Sequence, residues 1–142
     1  MNIYNTADGL RLKPRHERYS QLLFYAIADT YCEANNLDVS REPNAGNGPV
    51  DFKVSKGYKG RVLVEIKLSS NKNLIKGFEK QLPSYQESER TDRCFYLVLR
   101  VTKSESQIKR VQKAHRNAEG EGKRVPRLII IDALIKPSAS KR

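Results

Sequence analysis

Asp51, Glu65 and Lys67 are the residues whose types and spacing could do chemistry together. Glu65 and Lys67 flank Ile66 inside the run Arg61-Val62-Leu63-Val64-Glu65-Ile66-Lys67-Leu68-Ser69. In a strand, alternate side chains face opposite ways. Val62, Val64, Ile66 and Leu68 then share one face, and Leu63, Glu65, Lys67 and Ser69 the other. The two charged groups stand on one side, about 6.5 Å apart by strand rise. Asp51 lies 14 residues before Glu65, across a hairpin signal at Gly57 to Gly60. Antiparallel pairing of 50–54 with 61–69 brings Asp51 and Glu65 to neighbouring positions, with Val50, Phe52 and Val54 facing the core beside Val62, Val64 and Ile66. Two carboxylates on one face repel unless a cation sits between them. Such oxygen ligands suit Mg²⁺ or Mn²⁺, which keep several waters and contact substrate phosphate. No His/Cys set competes for zinc.

The E-x-K spacing alone is cheap. A salt bridge, or an edge strand with one solvated face, would also place a Glu and a Lys there. Glu121-Gly122-Lys123 repeats the spacing in a glycine-rich connection without flanking apolar alternation, and reads as a solvated loop. Context separates the two, because charges inside an apolar strand are costly to bury unpaired.

The elements that must position these groups are legible in the hydrophobic periods. A helix is expected over 15–36, with Leu22, Leu23, Ala26, Ile27 and Thr30 on its apolar face. Short strands follow at Val39 to Glu42 and Val50 to Val54, around the turn cluster Asn44 to Pro49, and then the strand Arg61 to Ser69. A second helix, about 73–89, carries Leu74, Phe78, Leu82 and Tyr85, with Pro83 expected to kink it. Cys94 to Val101 is a dense apolar strand. A third helix, 104–120, opens with Ser104 and Gln107 at capping-box spacing. Leu128 to Ile131 is the last strand. The order helix, three strands, helix, strand, helix, strand implies an α/β fold: a mixed central sheet flanked by helices in one domain over 1–142, with loose ends at 1–13 and 137–142.

The chain carries 27 Lys and Arg against 16 Asp and Glu, a net charge of +11. That excess favours polyanionic partners. No apolar run is long enough to span a bilayer, and no secretory leader pattern opens the sequence. Cys32 and Cys94 form no framework, so they read as reduced core fillers in a cytoplasmic protein. No P-loop or Gly-rich dinucleotide signature appears. His115 falls on the apolar stripe of the third helix and reads as a hydrogen-bonded core histidine. His16 is expected to be exposed.

Asp51, the hairpin, and Glu65-Ile66-Lys67 on the next strand resemble the signature of the PD-(D/E)xK nuclease superfamily, over roughly 15–101. The stretch Gly46 to Phe52 is similar to its restriction-endonuclease-like branch, although Val50 separates Pro49 from Asp51. The resemblance implies an αβββαβ core with an added helix and strand here, and a Mg²⁺- or Mn²⁺-dependent nuclease acting on DNA in defence, restriction or repair. It implies a metal held by Asp51, Glu65 and the Ile66 carbonyl, with Lys67 beside the attacking water, orienting it and helping to deprotonate it. It also implies Glu17 on the first helix, near a second metal or a metal-bound water, and Gln81 on the helix after the strand, orienting Lys67 or phosphate. Basic residues on the second helix (Lys72, Lys76, Lys80) and the third (Lys109, Arg110, Lys113) are candidate phosphate contacts. Double-stranded DNA is the expected partner, with a homodimer or a multi-subunit system as the assembly. A Holliday-junction-resolvase-like nuclease and a non-catalytic binding module on the same fold are the alternatives.

Overall fold

A computed structural model of the protein describes residues 4–5, 13–14, 17–43 and 49–135. His16 and the turn residues 44–48 lie outside them, as do most of the two expected loose ends. Two short strands, β1 (Tyr4–Asn5) and β2 (Lys13–Pro14), pair antiparallel. Helix α1 (Glu17–Ala34) leads into β3 (Asp38–Arg41), β4 (Phe52–Lys56) and β5 (Gly60–Leu68). A helical stretch follows in three parts: α2 (Leu74–Lys76), a π-helical turn (Gly77–Gln81) and α3 (Leu82–Glu89). Then come β6 (Cys94–Arg100), α4 (Ser106–Gly120) and β7 (Arg127–Asp132).

The sheet runs β3-β4-β5-β6-β7. β3, β4 and β5 are joined antiparallel, while β5, β6 and β7 run parallel. This is the expected α/β arrangement with a mixed sheet. Parallel strands need long crossovers, and the stretch 74–89 and α4 supply them. Strand order advances in one direction, so crossovers of one hand lay both helices on the same face. That face holds Leu63, Tyr96, Val98 and Cys94 against Leu74, Phe78, Leu82 and Tyr85, with Val111 from α4. The other face holds Phe52, Val64, Ile66 and Leu97, and α1 covers it with Phe24 and Tyr25. The Phe24 and Phe52 rings stand 4.9 Å apart.

Several expected boundaries shift. α1 buries Ser20 and Cys32, with Phe24 and Ala28 between them in the same i, i+4 row. Of its expected apolar face, Leu22 and Leu23 are half-buried, whereas Ala26 and Thr30 are exposed and Ile27 is 66% exposed. The period was right and the phase is rotated: Phe24 and Tyr25 take the sheet surface ahead of Ala26 and Ile27. β4 begins at Phe52 rather than Val50. Val50 therefore leaves the strand's alternation and enters the opposite core with Leu63. Ser104 and Gln107 form no capping box. α4 starts two residues later without a side-chain cap, and the Ser104 hydroxyl meets that of Ser106 at 3.1 Å. Pro83 brings no simple kink but follows the π turn directly. The wider turn fits a ring with no N–H to donate. Cys32 and Cys94 are free and buried, as core fillers should be. His115 bonds on both nitrogens, to Glu119 at 3.1 Å and to the Pro126 carbonyl at 3.1 Å.

Candidate active site

The site forms where β4 ends and β5 continues. Phe52 pairs with Val64, so the β5 residues beyond Val64 have no β4 partner. Leu63 and Ser69 donate toward β6, to Arg93 at 2.9 Å and Leu99 at 2.8 Å. The intervening even residues therefore point their N–H and C=O groups into the lane that β4 has left. Carboxylates complete the ladder there. Ile66 N donates to Asp51 Oδ2 at 2.7 Å, and Leu68 N to Glu17 Oε2 at 3.0 Å. By the same alternation the Ile66 carbonyl opens into this lane, beside both carboxylates of the expected pair.

The antiparallel register extended by one residue sets Asp51 opposite Glu65, as the spacing predicts. Asp51 N donates to Glu65 Oε2 at 3.3 Å. The Asp51 main chain is fixed on its other side, where its carbonyl accepts Glu42 N at 2.8 Å. Glu65 is 3% exposed on a central strand, which removes the solvated-edge explanation for E-x-K. The salt-bridge explanation is half true. Lys67 Nζ stands 2.7 Å from Glu65 Oε1 and 3.4 Å from Glu17 Oε1. One ammonium thus serves two carboxylates while Asp51 relies on neutral donors.

The electrostatics follow from that crowding. Burial, and then the neighbouring Glu65 charge, push the Asp51 carboxyl up to about 7, against the pull of the Ile66 N–H and Lys67. Burial works against the Lys67 ammonium. Glu65 foremost, then Glu17 and Asp51, overrule it and hold its pKa above the usual lysine range. Lys67 in this setting is a hydrogen-bond donor and a positive charge rather than a base. Burial and the Glu65 charge also raise the phenols of Tyr85 and Tyr96.

A divalent cation fits this donor set. Two carboxylates and a carbonyl supply hard oxygens, and Asp51, raised by burial first and by the Glu65 charge second, is a carboxyl whose ionised form a cation would favour. Among the described residues, no three His, Cys, Asp or Glu side chains are grouped as ligands of one ion. Mg²⁺ needs only one or two carboxylates, with water and phosphate filling its remaining positions. Glu17 reaches the site as a partner of Lys67, Leu68 N and Asn71, whose Nδ2 donates to Glu17 Oε2 at 2.8 Å.

Gln81 comes close through the π turn. A methyl group at Gly77 would stand 2.7 Å from the Tyr96 hydroxyl, 3.2 Å from Gln81 Oε1 and 3.6 Å from Lys67 Cε. Gly77 therefore lets the turn lie against the Lys67 shaft with Gln81 beside it. The Tyr96 hydroxyl anchors the same segment, donating to the Leu74 carbonyl at 2.7 Å. Lys72, Lys76 and Lys80 are all exposed, but they do not sit on one regular helix. Lys72 precedes α2, and the π turn shifts the phase between Lys76 and Lys80. On α4, Lys109, Arg110 and Lys113 are exposed, and Lys109 pairs with Glu105 at 3.3 Å. A cleft of about 660 Å³ lies between Phe78 and Pro83 on one side and Ala114 and Ala118 of α4 on the other, and none of Asp51, Glu65 and Glu17 lines it.

Two site residues escaped the sequence reading: Asn71, and Gln21, whose Nε2 donates to Asp51 Oδ1 at 2.7 Å. Gln21 stands one helical turn from Glu17, and that i, i+4 spacing was the available signal.

The family model described as "Domain of unknown function (DUF8371)" matches residues 3–103. The chain belongs to the DUF8371 family. The DUF8371 match takes in Glu17, Gln21, Asp51, Glu65, Lys67 and Gln81, and stops before α4 and β7. No curated protein and no solved structure matches the chain.

Proposed function

We propose that this protein is a metal-dependent nuclease that hydrolyses DNA phosphodiester bonds, on a restriction-endonuclease-like αβββαβ core of the PD-(D/E)xK type. One observation carries the reading: Asp51 and Glu65 converge in the lane where β4 leaves β5, with Lys67 Nζ 2.7 Å from Glu65. A net charge of +11 supports a polyanionic substrate.

Asp51, Glu65 and the Ile66 carbonyl would hold Mg²⁺ or Mn²⁺. When bound, such an ion supplies Lewis-acid polarisation of the phosphoryl oxygen and a more acidic water. The chain's own groups do the rest. Lys67, kept protonated, orients the attacking water and offsets charge on the attacked phosphate. Glu17 restrains Lys67 from the α1 side, and Gln81 flanks it from the π turn. Lys76 and Lys80, exposed on the helical stretch that carries Gln81, suit contacts to the phosphate backbone, with Lys72 just before it. Lys109, Arg110 and Lys113 suit a more distant contact. Two sites cut two strands most simply in a homodimer, alone or within a multi-subunit system.

The test is plasmid nicking by purified protein with Mg²⁺, Mn²⁺ or chelator, on supercoiled, linear and four-way-junction DNA. Cleavage with either ion is expected, along with its loss in chelator and a drop of at least about 100-fold in Asp51→Asn and Lys67→Ala. Preference for the junction would place the enzyme among resolvase-like nucleases. Metal-dependent binding without cleavage on any substrate would reduce it to a binding module.

A further inference from the structure

We propose that Gln21 is a positioning residue that aims the Asp51 carboxylate and so sets how tightly the site holds a divalent cation. The inference rests on the metal-dependent reading above and assigns a role to a residue that reading does not use.

Asp51 Oδ2 accepts Ile66 N at 2.7 Å. That single bond would leave the carboxylate free to pivot about the bond joining it to its side chain, carrying Oδ1 in or out of the lane. Gln21 Nε2 closes that freedom from the other side, donating to Oδ1 at 2.7 Å. This is the short end of the N–H···O range. Each carboxylate oxygen has two acceptor positions. With one taken on each oxygen by Ile66 N and Gln21, the remaining two lie in a fixed plane.

The donor's chemistry matters as much as its place. A Lys or Arg at position 21 would neutralise Asp51 and compete with the cation. A primary amide orients the carboxylate and leaves its charge in place. Glu17, on the same helix face, does the matching task for Lys67 at 3.4 Å. α1 thus carries a two-residue clamp, with one member on the ammonium and one on the carboxylate. Partners that orient ligands in this way typically contribute about 10–100-fold to metal affinity.

The competing explanation is that Gln21 only ties α1 to the sheet. The two differ in metal affinity, because a tie affects stability alone. The experiment titrates Mn²⁺ into the purified full chain without nucleic acid, following the free-ion paramagnetic resonance signal. It compares wild type, Gln21→Met, Gln21→Ala and Asp51→Asn. Met matches the shape of Gln and lacks the N–H, so it remains decisive if the Ala variant folds poorly. Mn²⁺ affinity should fall about 10- to 100-fold in both Gln21 variants. The half-saturating metal concentration for plasmid nicking should shift equally, with the rate recovering at high metal. Wild-type affinity in Gln21→Met, alongside lost affinity in Asp51→Asn, overturns the proposal and leaves the metal site standing. A wild-type chain that binds no Mn²⁺ removes both.

Discussion

Asp51 is the residue on which chemistry and stability meet. Its carboxyl is pushed up to about 7 from an ordinary 3.8, chiefly by burial and then by Glu65. A raised folded-state pKa means that the folded protein holds the proton more tightly than the unfolded chain. The stability from this proton is complete below about pH 4 and is lost as pH rises through about 7, with an upper bound of about 4 kcal/mol. Melting temperature of the metal-free protein should therefore fall between pH 5 and pH 8, and Asp51→Asn should flatten that slope. Mg²⁺ or Mn²⁺ should raise the melting temperature more at pH 8 than at pH 5, since a cation favours the ionised carboxylate. An unchanged slope in the Asn variant would assign it to other groups. The Asp51–Glu65 juxtaposition was legible in the sequence because strand register is arithmetic once the hairpin is found. Gln21 was not, because its role depends on where α1 crosses the sheet, and a helix period fixes spacing without fixing phase.

At the scale of elements, the π turn is the part the sequence concealed. Its residues Gly77 to Gln81 read as ordinary helix from their apolar spacing, and only Pro83 hinted at an irregularity. The wider turn sets Gly77 against the hydroxyl of the fully buried Tyr96, where an added methyl would stand at 2.7 Å. Gly77→Ala should therefore cost about 1–3 kcal/mol as overpacking, read by chemical denaturation. It should also reduce cleavage beyond the stability loss, because relief must displace the Tyr96 ring or the Lys67 shaft. Ser84→Ala, on α3 beyond the crowded turn, is the control. The strands were easier to find than the helix ends. The dense apolar run of β6 allows one reading, whereas α4 lost its expected first turn because Ser104 bonds Ser106 instead of capping.

For the whole molecule, charge is the feature that composition gave away and the fold organises. Lys76 and Lys80 are exposed on the helical stretch that carries Gln81. Replacing both with Ala should weaken binding to unrelated DNA sequences alike. It should also lower the slope of log affinity against log salt by about one for each phosphate that is no longer neutralised. Lys109→Ala should change that slope less, because Lys109 already pairs with Glu105. The two faces of the sheet differ in another respect. One is held by α2, the π turn, α3 and α4 together. Among the described residues, α1 is the only helix on the other, and the same α1 carries Glu17 and Gln21. A helix with a single packing face is the unit most readily shed as temperature rises. Warming should thus silence the proposed nuclease activity several degrees before the sheet melts: cleavage will decay while near-native strand content persists, and cooling from that plateau will restore it.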